Sequence, residues 1–229
     1  MIDGVMFDFS GTLLRIESAA EWLRGALDEA GVEVGEEEFA GCVGRLEEFG
    51  ALPGGGEPRV VPGHLERLWR ERDLTAERHR ACYTALAREA GLPDPGLADV
   101  LYDRHRRPVA WQPYRDAEST LRGLRERGLR TAVVSNIGWD LRPVLEFHGL
   151  ARYVDAWVLS YELGVKKPDP RIFGAACEEL GLPPASVLMV GDDRRADTGA
   201  AALGCPVHLV DHAPVAERPD QLSRVFELL

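Results

Sequence analysis

Four separate segments of the chain carry side chains that could bind or transfer a phosphoryl group. They are Asp8–Thr12, Ser135–Asn136, Lys166–Pro170 and Asp192–Asp197. Carboxylates suit a hard divalent cation such as Mg²⁺, whereas hydroxyl, N–H and ammonium groups suit phosphoryl oxygens. A fold that brings the four segments together would therefore hold a metal ion and a phosphoryl group at one site.

Asp8 is the candidate nucleophile because it follows a short apolar run that is typical of a buried strand. A carboxylate at that place needs a cationic partner, since an unpaired buried charge is costly. Mg²⁺ held by Asp8 and Asp192, with Asp193 or Asp197 as further candidates, would supply one. Asp8 could then attack phosphorus and form an aspartyl-phosphate, while the metal and Lys167 offset the repulsion between the two anions.

Ser135 and Asn136 are the candidates for binding the phosphoryl group, because a helix-like segment begins shortly after them. A hydroxyl and free N–H groups at a helix N-terminus favour an anion. Lys166 competes with its neighbour Lys167 for the place beside the phosphate. Trp139 follows closely enough to be a candidate for the wall of the pocket.

The elements that must position these residues alternate between strand and helix after residue 113. An initial strand over residues 5–7 has the same character. The predicted helices are 114–127, 139–148, 169–180, 194–203 and 219–228, and the predicted strands are 129–134, 154–159, 186–190 and 206–210. Such alternation indicates a parallel sheet with helices on both faces. The carboxyl ends of parallel strands meet at one edge, where ligands bind in open α/β sheets.

Residues 15–107 instead predict helices only, with a Gly- and Pro-rich loop at 50–63. The helical periodicity covers 17–30, 36–49, 63–72, 75–90 and 95–105. We therefore predict a doubly wound α/β core formed by residues 1–14 and 108–229. An all-helical domain of residues 15–107 is inserted after the first strand. Hinges are expected at Gly11, near residue 15 and at 108–113.

Composition narrows the class of protein. The formal net charge of −11 argues against non-specific binding to nucleic acid or to an anionic membrane. No run of 18 apolar residues and no signal-like N-terminus is present, so we expect a cytoplasmic protein. The four cysteines lack paired spacing and predict neither a disulfide framework nor a zinc site. The histidines, His79 and His212 among them, share no metal-ligand spacing and are interpreted as incidental.

The four segments, DFSGT, SN, KKPDP and GDDRRAD in that order, resemble the haloacid dehalogenase (HAD) superfamily. The resemblance implies a HAD-like, Rossmann-like core with the helical insertion as a cap domain. It also implies Asp8 as nucleophile, Ser135 as phosphoryl ligand and Lys167 as the neutralising cation. Mg²⁺ would be held by Asp8, Asp192 and the backbone carbonyl of Ser10. Thr12, Asp193 and Asp197 would support the site, and a small phosphorylated metabolite would be the partner of a monomer or homodimer.

Ser10 is where the sequence departs from the phosphatase pattern of the family. That pattern has an aspartate two residues after the nucleophile, which protonates the leaving oxygen and then activates water. A serine hydroxyl does not titrate near neutral pH, and general acid–base help is typically worth about 10²–10⁴-fold. Hydrolysis of ordinary phosphomonoesters should slow by a factor of that order.

Four interpretations remain open. The first is a Mg²⁺-dependent phosphatase that is slow, recruits another acid or uses substrates with good leaving groups. The second is a catalytically impaired protein that binds or senses phosphate. A 2-haloacid dehalogenase is the third, although this chain retains the acidic Asp192–Asp193 pair that metal-free dehalogenases do not need. The fourth, a phosphonatase with a cap lysine, is disfavoured because residues 15–107 contain no lysine.

Overall fold

Seven strands and nine α-helices make up the computed structural model, which describes residues 1–229. The strands are β1 Gly4–Phe7, β2 Leu14–Ile16, β3 Trp111–Pro113, β4 Arg130–Ser135, β5 Ala156–Leu159, β6 Val187–Gly191 and β7 Val207–Leu209. The helices are α1 Ala19–Ala30, α2 Glu36–Glu48, α3 Glu66–Glu71, α4 Ala76–Glu89, α5 Leu97–His105, α6 Ala117–Glu126, α7 Arg142–Phe147, α8 Ser160–Leu163 and α9 Pro170–Leu180.

Five parallel strands form the central sheet in the order β5-β4-β1-β6-β7. Strand β1 is central because its four apolar residues are buried on both faces. Val5 and Phe7 face the core that is shared with the helical domain, whereas Met6 faces a second core under α9. The doubly wound α/β fold predicted from the alternating pattern is thereby confirmed, and Asp8 lies in the middle of the carboxyl edge.

Helices α1 to α5 form the inserted domain. Helix α1 begins at a capping box in which Ser18 and Glu21 satisfy each other's backbone N–H groups, and it ends at Gly31 in the left-handed conformation. Its apolar face packs on α5, where the indole N–H of Trp22 donates to the carbonyl of Leu101 at 2.9 Å. Local sequence signals and this buried packing agree, so the helices were predicted within a few residues.

The expectation that residues 15–107 hold no strand is wrong at their first two residues. Arg15 and Ile16 belong to β2, which pairs antiparallel with β3 so that Arg15 lies opposite Gln112. A pairing across nearly a hundred residues leaves no signal in a three-residue segment. The two chain segments that connect the helical domain to the core are thus paired with each other as the β2–β3 sheet, in the region where hinges were predicted.

Two predicted helices are 3₁₀ helices instead. Residues Asp197–Leu203 replace the helix expected at 194–203, and Leu222–Glu227 replace the one expected at 219–228. Gly199 packs so tightly on the backbone of Pro168 that a Cβ would lie 2.4 Å from its carbonyl oxygen. This tertiary contact outweighs the weak helical preference of a short segment.

Two further features concern the whole chain. All four cysteines are buried and unpaired, as the sequence predicted. None of the helices has the length and apolar character that crossing a membrane would require.

Candidate active site

A buried ion-pair cluster lies at the carboxyl edge of the sheet, directly after β1. The ammonium group of Lys167 lies 2.8 Å from Oδ1 of Asp8 and 2.6 Å from Oδ1 of Asp197. All three side chains are buried. The second carboxylate oxygen of Asp197 accepts a hydrogen bond from the backbone N–H of Asp193 at 2.9 Å. Asp197 therefore holds Lys167 against the candidate nucleophile.

The charges in this cluster do not balance. Burial, together with the carboxylates of Asp197 and Asp192, raises the pKa of Asp8 to about 8, even though Lys167 opposes the shift. Burial also raises the pKa of Asp197. For Lys167, burial acts to lower the pKa, but Asp197 and Asp8 outweigh it and raise the pKa above its ordinary value. One ammonium thus serves more carboxylates than it can neutralise.

Asp192 supplies the third carboxylate from the end of β6. Carboxylate oxygens of Asp8, Asp192 and Asp197 all lie within 4.8 Å of one another, so the three could hold a metal ion. Oxygen donors and a deficit of positive charge suit a hard divalent cation. The residues present therefore fit the divalent metal ion that the sequence predicted. Of the two candidates for a third carboxylate, Asp193 and Asp197, it is Asp197 that lies beside Asp8 and Asp192.

Two residues orient Asp192 from its other side. The hydroxyl of Thr12 donates to Oδ1 of Asp192 at 2.9 Å, and Nδ1 of His212 lies 2.6 Å from Oδ2. Nε2 of His212 is in turn in contact with the guanidinium of Arg15 on β2. Partners of this kind fix the direction in which a ligating carboxylate points.

Ser135 ends β4, next to β1, and Asn136 follows it directly; both line the same cavity as Asp8. The side-chain amide of Asn136 is committed to the backbone of Lys167. Its Nδ2 donates to the carbonyl at 3.0 Å, and its Oδ1 accepts from the N–H at 2.7 Å. Asn136 therefore positions Lys167, and Ser135 is left as the hydroxyl that faces the cavity.

The two neighbouring lysines separate completely. Lys167 is buried in the ion-pair cluster, whereas Lys166 extends toward the helical domain. There its ammonium group donates to the carbonyl of Arg70 at 2.7 Å and lies 3.9 Å from the carboxylate of Asp73. Asp193 also lies apart from the carboxylate cluster, where its Oδ1 accepts from two backbone N–H groups of the following turn.

Ser10 bridges the core and the helical domain. Its hydroxyl donates to the backbone carbonyl of Gly54 at 3.3 Å, in the Gly- and Pro-rich loop. Gly54 has φ +78°, and a Cβ there would lie 2.6 Å from the Ser10 oxygen. The loop approaches this closely only because the position is glycine.

A cavity of about 610 Å³ opens above the ion-pair cluster, between the sheet edge and the helical domain. Its floor is formed by Asp8, Ser135, Lys167 and Asp192. Its upper walls consist mostly of aromatic and imidazole rings and include one guanidinium from the cap, that of Arg72. The wall residues are Trp69, Arg72, His79, Tyr83, Trp111 and Trp139. The cavity is large enough for a small organic molecule, and the carboxylate of Asp8, the candidate nucleophile, lies at its base.

Sequence reasoning missed three residues that support this site. His212 was interpreted as incidental. It lies only three residues after the end of β7, so an inspection of the residues that follow each predicted strand could have found it. Arg218 is buried and donates to the carbonyls of Gly11 and Thr12 at 2.9 Å each, which fixes the turn after Asp8. Arg72 enters the cavity from the cap. No local signal distinguishes Arg218 or Arg72 from the other arginines of the chain.

A family model for haloacid dehalogenase-like hydrolases matches residues 2–204. The chain therefore belongs to this family and is a hydrolase, as the four motifs predicted. Residues 2–204 include all four motif segments and the whole helical insertion, so the family assignment covers the α/β core and the inserted helices alike.

The proteins and structures to which this chain is similar include both phosphatases and dehalogenases by name. A mouse protein named haloacid dehalogenase-like hydrolase domain-containing protein 3 is 41% identical over 128 residues, which cover 54% of this chain and about half, 51%, of that protein. Glyceraldehyde 3-phosphate phosphatase of Methanopyrus kandleri is 32% identical over 201 residues, covering 84% of this chain and 76% of that one. A crystal structure of a dehalogenase with an intermediate complex superposes with a TM-score of 0.71 at 26% identity, covering 100% of this chain and 97% of that one.

Proposed function

We propose that this hydrolase is a Mg²⁺-dependent phosphatase that acts on a small phosphorylated metabolite through an aspartyl-phosphate on Asp8. The observation that carries the proposal is the buried arrangement of Asp8, Lys167 and Asp197 beside Asp192 at the base of the cavity. The relative from Methanopyrus kandleri, which is named a phosphatase, supports the same reaction class.

In the first step, a carboxylate oxygen of Asp8 attacks phosphorus, and the bond from phosphorus to the leaving oxygen breaks. The leaving oxygen keeps the bonding electrons and takes a proton from water. Lys167 is 2.8 Å from Asp8, so its positive charge is already in place where negative charge accumulates on the phosphoryl oxygens. The hydroxyl of Ser135 would bind one of those oxygens. Because Asp197 and Asn136 hold Lys167 from two sides, no reorganisation of the lysine is needed.

In the second step, water attacks phosphorus and gives up a proton to solvent, the bond to Asp8 breaks with its electrons returning to the carboxylate, and inorganic phosphate leaves. Ser10 cannot act as the acid that protonates the leaving oxygen or as the base that activates this water. Its hydroxyl is instead bonded to the cap loop at Gly54. We therefore expect slow turnover of esters with poor leaving groups and faster turnover of activated esters.

Asp8, Asp192 and the Ser10 carbonyl would hold the Mg²⁺ ion, with Asp197 nearby. When bound, the ion supplies positive charge to the phosphoryl oxygens and offsets the surplus of carboxylates. Thr12 and His212 keep Asp192 directed toward the ion. Closure of the cap over the cavity would exclude bulk water from the reacting groups.

The cavity of about 610 Å³ and the net charge of −11 favour a small metabolite over nucleic acid or a membrane surface as the partner. Within the family, a dehalogenase is the main alternative reaction, and a catalytically impaired phosphate-binding protein is the main alternative without one.

The test is turnover of para-nitrophenyl phosphate with Mg²⁺ and with EDTA, in the wild type and in Asp8→Asn. We expect Mg²⁺-dependent release of phosphate that the substitution abolishes. Asp3→Asn is the matched control, because this exposed aspartate lies at the opposite end of β1. It should retain wild-type activity.

Three other outcomes would reject the proposal. Absence of turnover with any phosphate ester, together with intact Mg²⁺ binding, would favour a binding protein. Halide release from a 2-haloacid without metal would indicate a dehalogenase. Activity that survives Asp8→Asn would exclude Asp8 as the nucleophile.

A further inference from the structure

We propose that Arg72 of the cap selects phosphate esters whose leaving group carries a second anionic group, either a carboxylate or another phosphate. The inference rests on the proposed phosphatase function and specifies its substrate class. Arg72 lines the cavity opposite Asp8 and Lys167, from the short 3₁₀ turn that follows α3. A substrate with its phosphoryl group at Asp8 would extend the rest of its structure toward this guanidinium.

The guanidinium of Arg72 is held rigidly. It stacks on the ring of Trp69, 3.5 Å from the centroid. Its Nε donates to the hydroxyl of Tyr83 at 3.2 Å, and one Nη1 proton is donated to the carbonyl of Trp69 at 2.8 Å. A guanidinium has five N–H donors, so three of them, including both on Nη2, make no hydrogen bond to the protein. The side chain is preorganised, yet it retains donors for a ligand.

Among the groups around Arg72 that are at least partly buried, the cations outnumber the carboxylates. The nearest carboxylate, Asp73, lies 3.6 Å from Nε of Arg72 and 3.9 Å from the ammonium group of Lys166. Two cations therefore share one anion. His79 lies 4.0 Å from Asp73 but adds no charge, since burial lowers its pKa to about 4. Glu57 also reaches the cavity, but it is exposed to solvent.

Arg72 differs from the other arginines of the cavity wall. Arg194 and Arg195 follow Asp193 on the core side and are exposed, so water and salt screen them. The side chain of Arg72 is only 17% exposed. A partly buried guanidinium binds carboxylate or phosphate through paired hydrogen bonds. Arg72 is the only arginine from the cap that lines the cavity.

The consequence is a two-point recognition of the substrate. Lys167 and the metal site bind the phosphoryl group at the base of the cavity, and Arg72 binds the second anion in the cap. A substrate that satisfies both points would be held with its ester bond between them, which favours the closed cap. Esters with neutral leaving groups satisfy only the first point.

The experiment compares two matched substrate pairs in Mg²⁺. 3-Phosphoglycerate differs from glycerol 3-phosphate by a carboxylate in place of a hydroxymethyl group, and fructose 1,6-bisphosphate differs from fructose 6-phosphate by a phosphate. We expect at least one anionic member to be preferred about 10- to 100-fold in kcat/KM, as a charged hydrogen-bonded contact provides. The preferred pair distinguishes carboxylate from phosphate.

Arg72→Met retains the aliphatic stem but removes the charge, and it should bring that preference close to 1, mainly through KM. Arg72→Lys retains the charge without the fork and should give an intermediate ratio. The control is Arg67→Met on α3, whose side chain is 80% exposed and lies outside the cavity. It should keep the wild-type preference. Melting temperatures identify any variant that fails to fold.

Two kinetic results would overturn the inference, namely a wild type without preference for either anionic substrate, or a preference that survives Arg72→Met. Failure of this inference is distinguished from failure of the proposed function by calorimetry, in which binding of the same four compounds to Asp8→Asn is measured. Anion-selective binding that depends on Arg72, without turnover in the wild type, would reject the phosphatase and retain the anion site. Equal binding of all four compounds would reject the anion site even if turnover is observed.

Discussion

The two halves of the cavity are built by different means. The core half consists of polar and charged side chains. Asp8, Ser135 and Asp192 lie at or just after the ends of β1, β4 and β6, and Nζ of Lys167 lies within 3 Å of carboxylate oxygens of both Asp8 and Asp197. The cap half consists mainly of ring side chains around a single stacked guanidinium, Arg72, and includes one histidine, His79, that burial keeps neutral. Charge is thus concentrated where a phosphoryl group would react, and shape and apolar surface prevail where the rest of a substrate would lie.

This difference assigns separate tasks to the two domains. The core half depends on precise electrostatics, so the removal of one charge should affect the chemical step. The cap half depends on fit, so changes there should affect which substrates bind and how stably the cap closes. Lys166 and Ser10 connect the halves, since each donates to a backbone carbonyl of the cap.

The largest effect that tests this division is expected for Lys167→Met. It would leave Asp8 and Asp197 without their cation and should lower kcat about 10²–10³-fold, the usual result of removing a preorganised electrostatic contact. Lys166→Met is the matched control, because its ammonium group contacts the cap at Arg70 and Asp73. We expect Lys166→Met to change KM more than kcat. Equal losses of kcat in both variants would contradict the division.

A smaller effect, in the opposite direction, is expected for Ser10→Asp. The new carboxyl group would supply the missing acid and could, when protonated, still donate to the Gly54 carbonyl. Turnover of an ester with a poor leaving group, glycerol 3-phosphate, should rise about 10- to 100-fold, a part of the usual gain from general acid–base catalysis. Ser10→Ala removes the hydroxyl without adding an acid and should show no gain. An unchanged or lower rate in Ser10→Asp would mean that the pocket is built around serine.

The smallest effect concerns the neutral histidines of the cap. Burial lowers the pKa of His79 to about 4, from its usual value near 6.5. Between these values the unfolded chain binds a proton that the folded chain does not, so stability falls as pH decreases. From pH 7.5 to pH 5 the loss should be about 2 kcal/mol in the free energy of unfolding.

Urea unfolding of the wild type and of His79→Asn at both pH values measures this loss. Subtracting the stability change of His79→Asn from that of the wild type removes the contribution of other titrating groups. Asp8 is one of these, and its raised pKa makes stability increase as the pH decreases. The gap between the two proteins should narrow or invert at pH 5. Parallel changes in stability would show that His79 does not remain neutral in the folded state.

Much of the core could be predicted from sequence for local reasons. Apolar runs that end in Asp8, Ser135 and Asp192 identify strands and the residues at their carboxyl ends, and parallel topology then brings those ends together. The family resemblance distinguished Lys167 from Lys166 without a structural argument. Helix α1 was equally predictable, since Ser18 and Gly31 mark its two ends.

Only the tertiary structure decided which side chains complete the site. Asn136 was expected to bind substrate, and its amide proves to be bonded to the backbone of Lys167. His212, Arg218 and Arg72 reach the site from segments that carry no motif. Their positions depend on how the last loop and the cap pack on the core, and such long-range packing leaves no periodic or local trace in the sequence. The amino-acid sequence by itself therefore determined the reactive edge of the sheet, and the packing of distant segments determined what surrounds it.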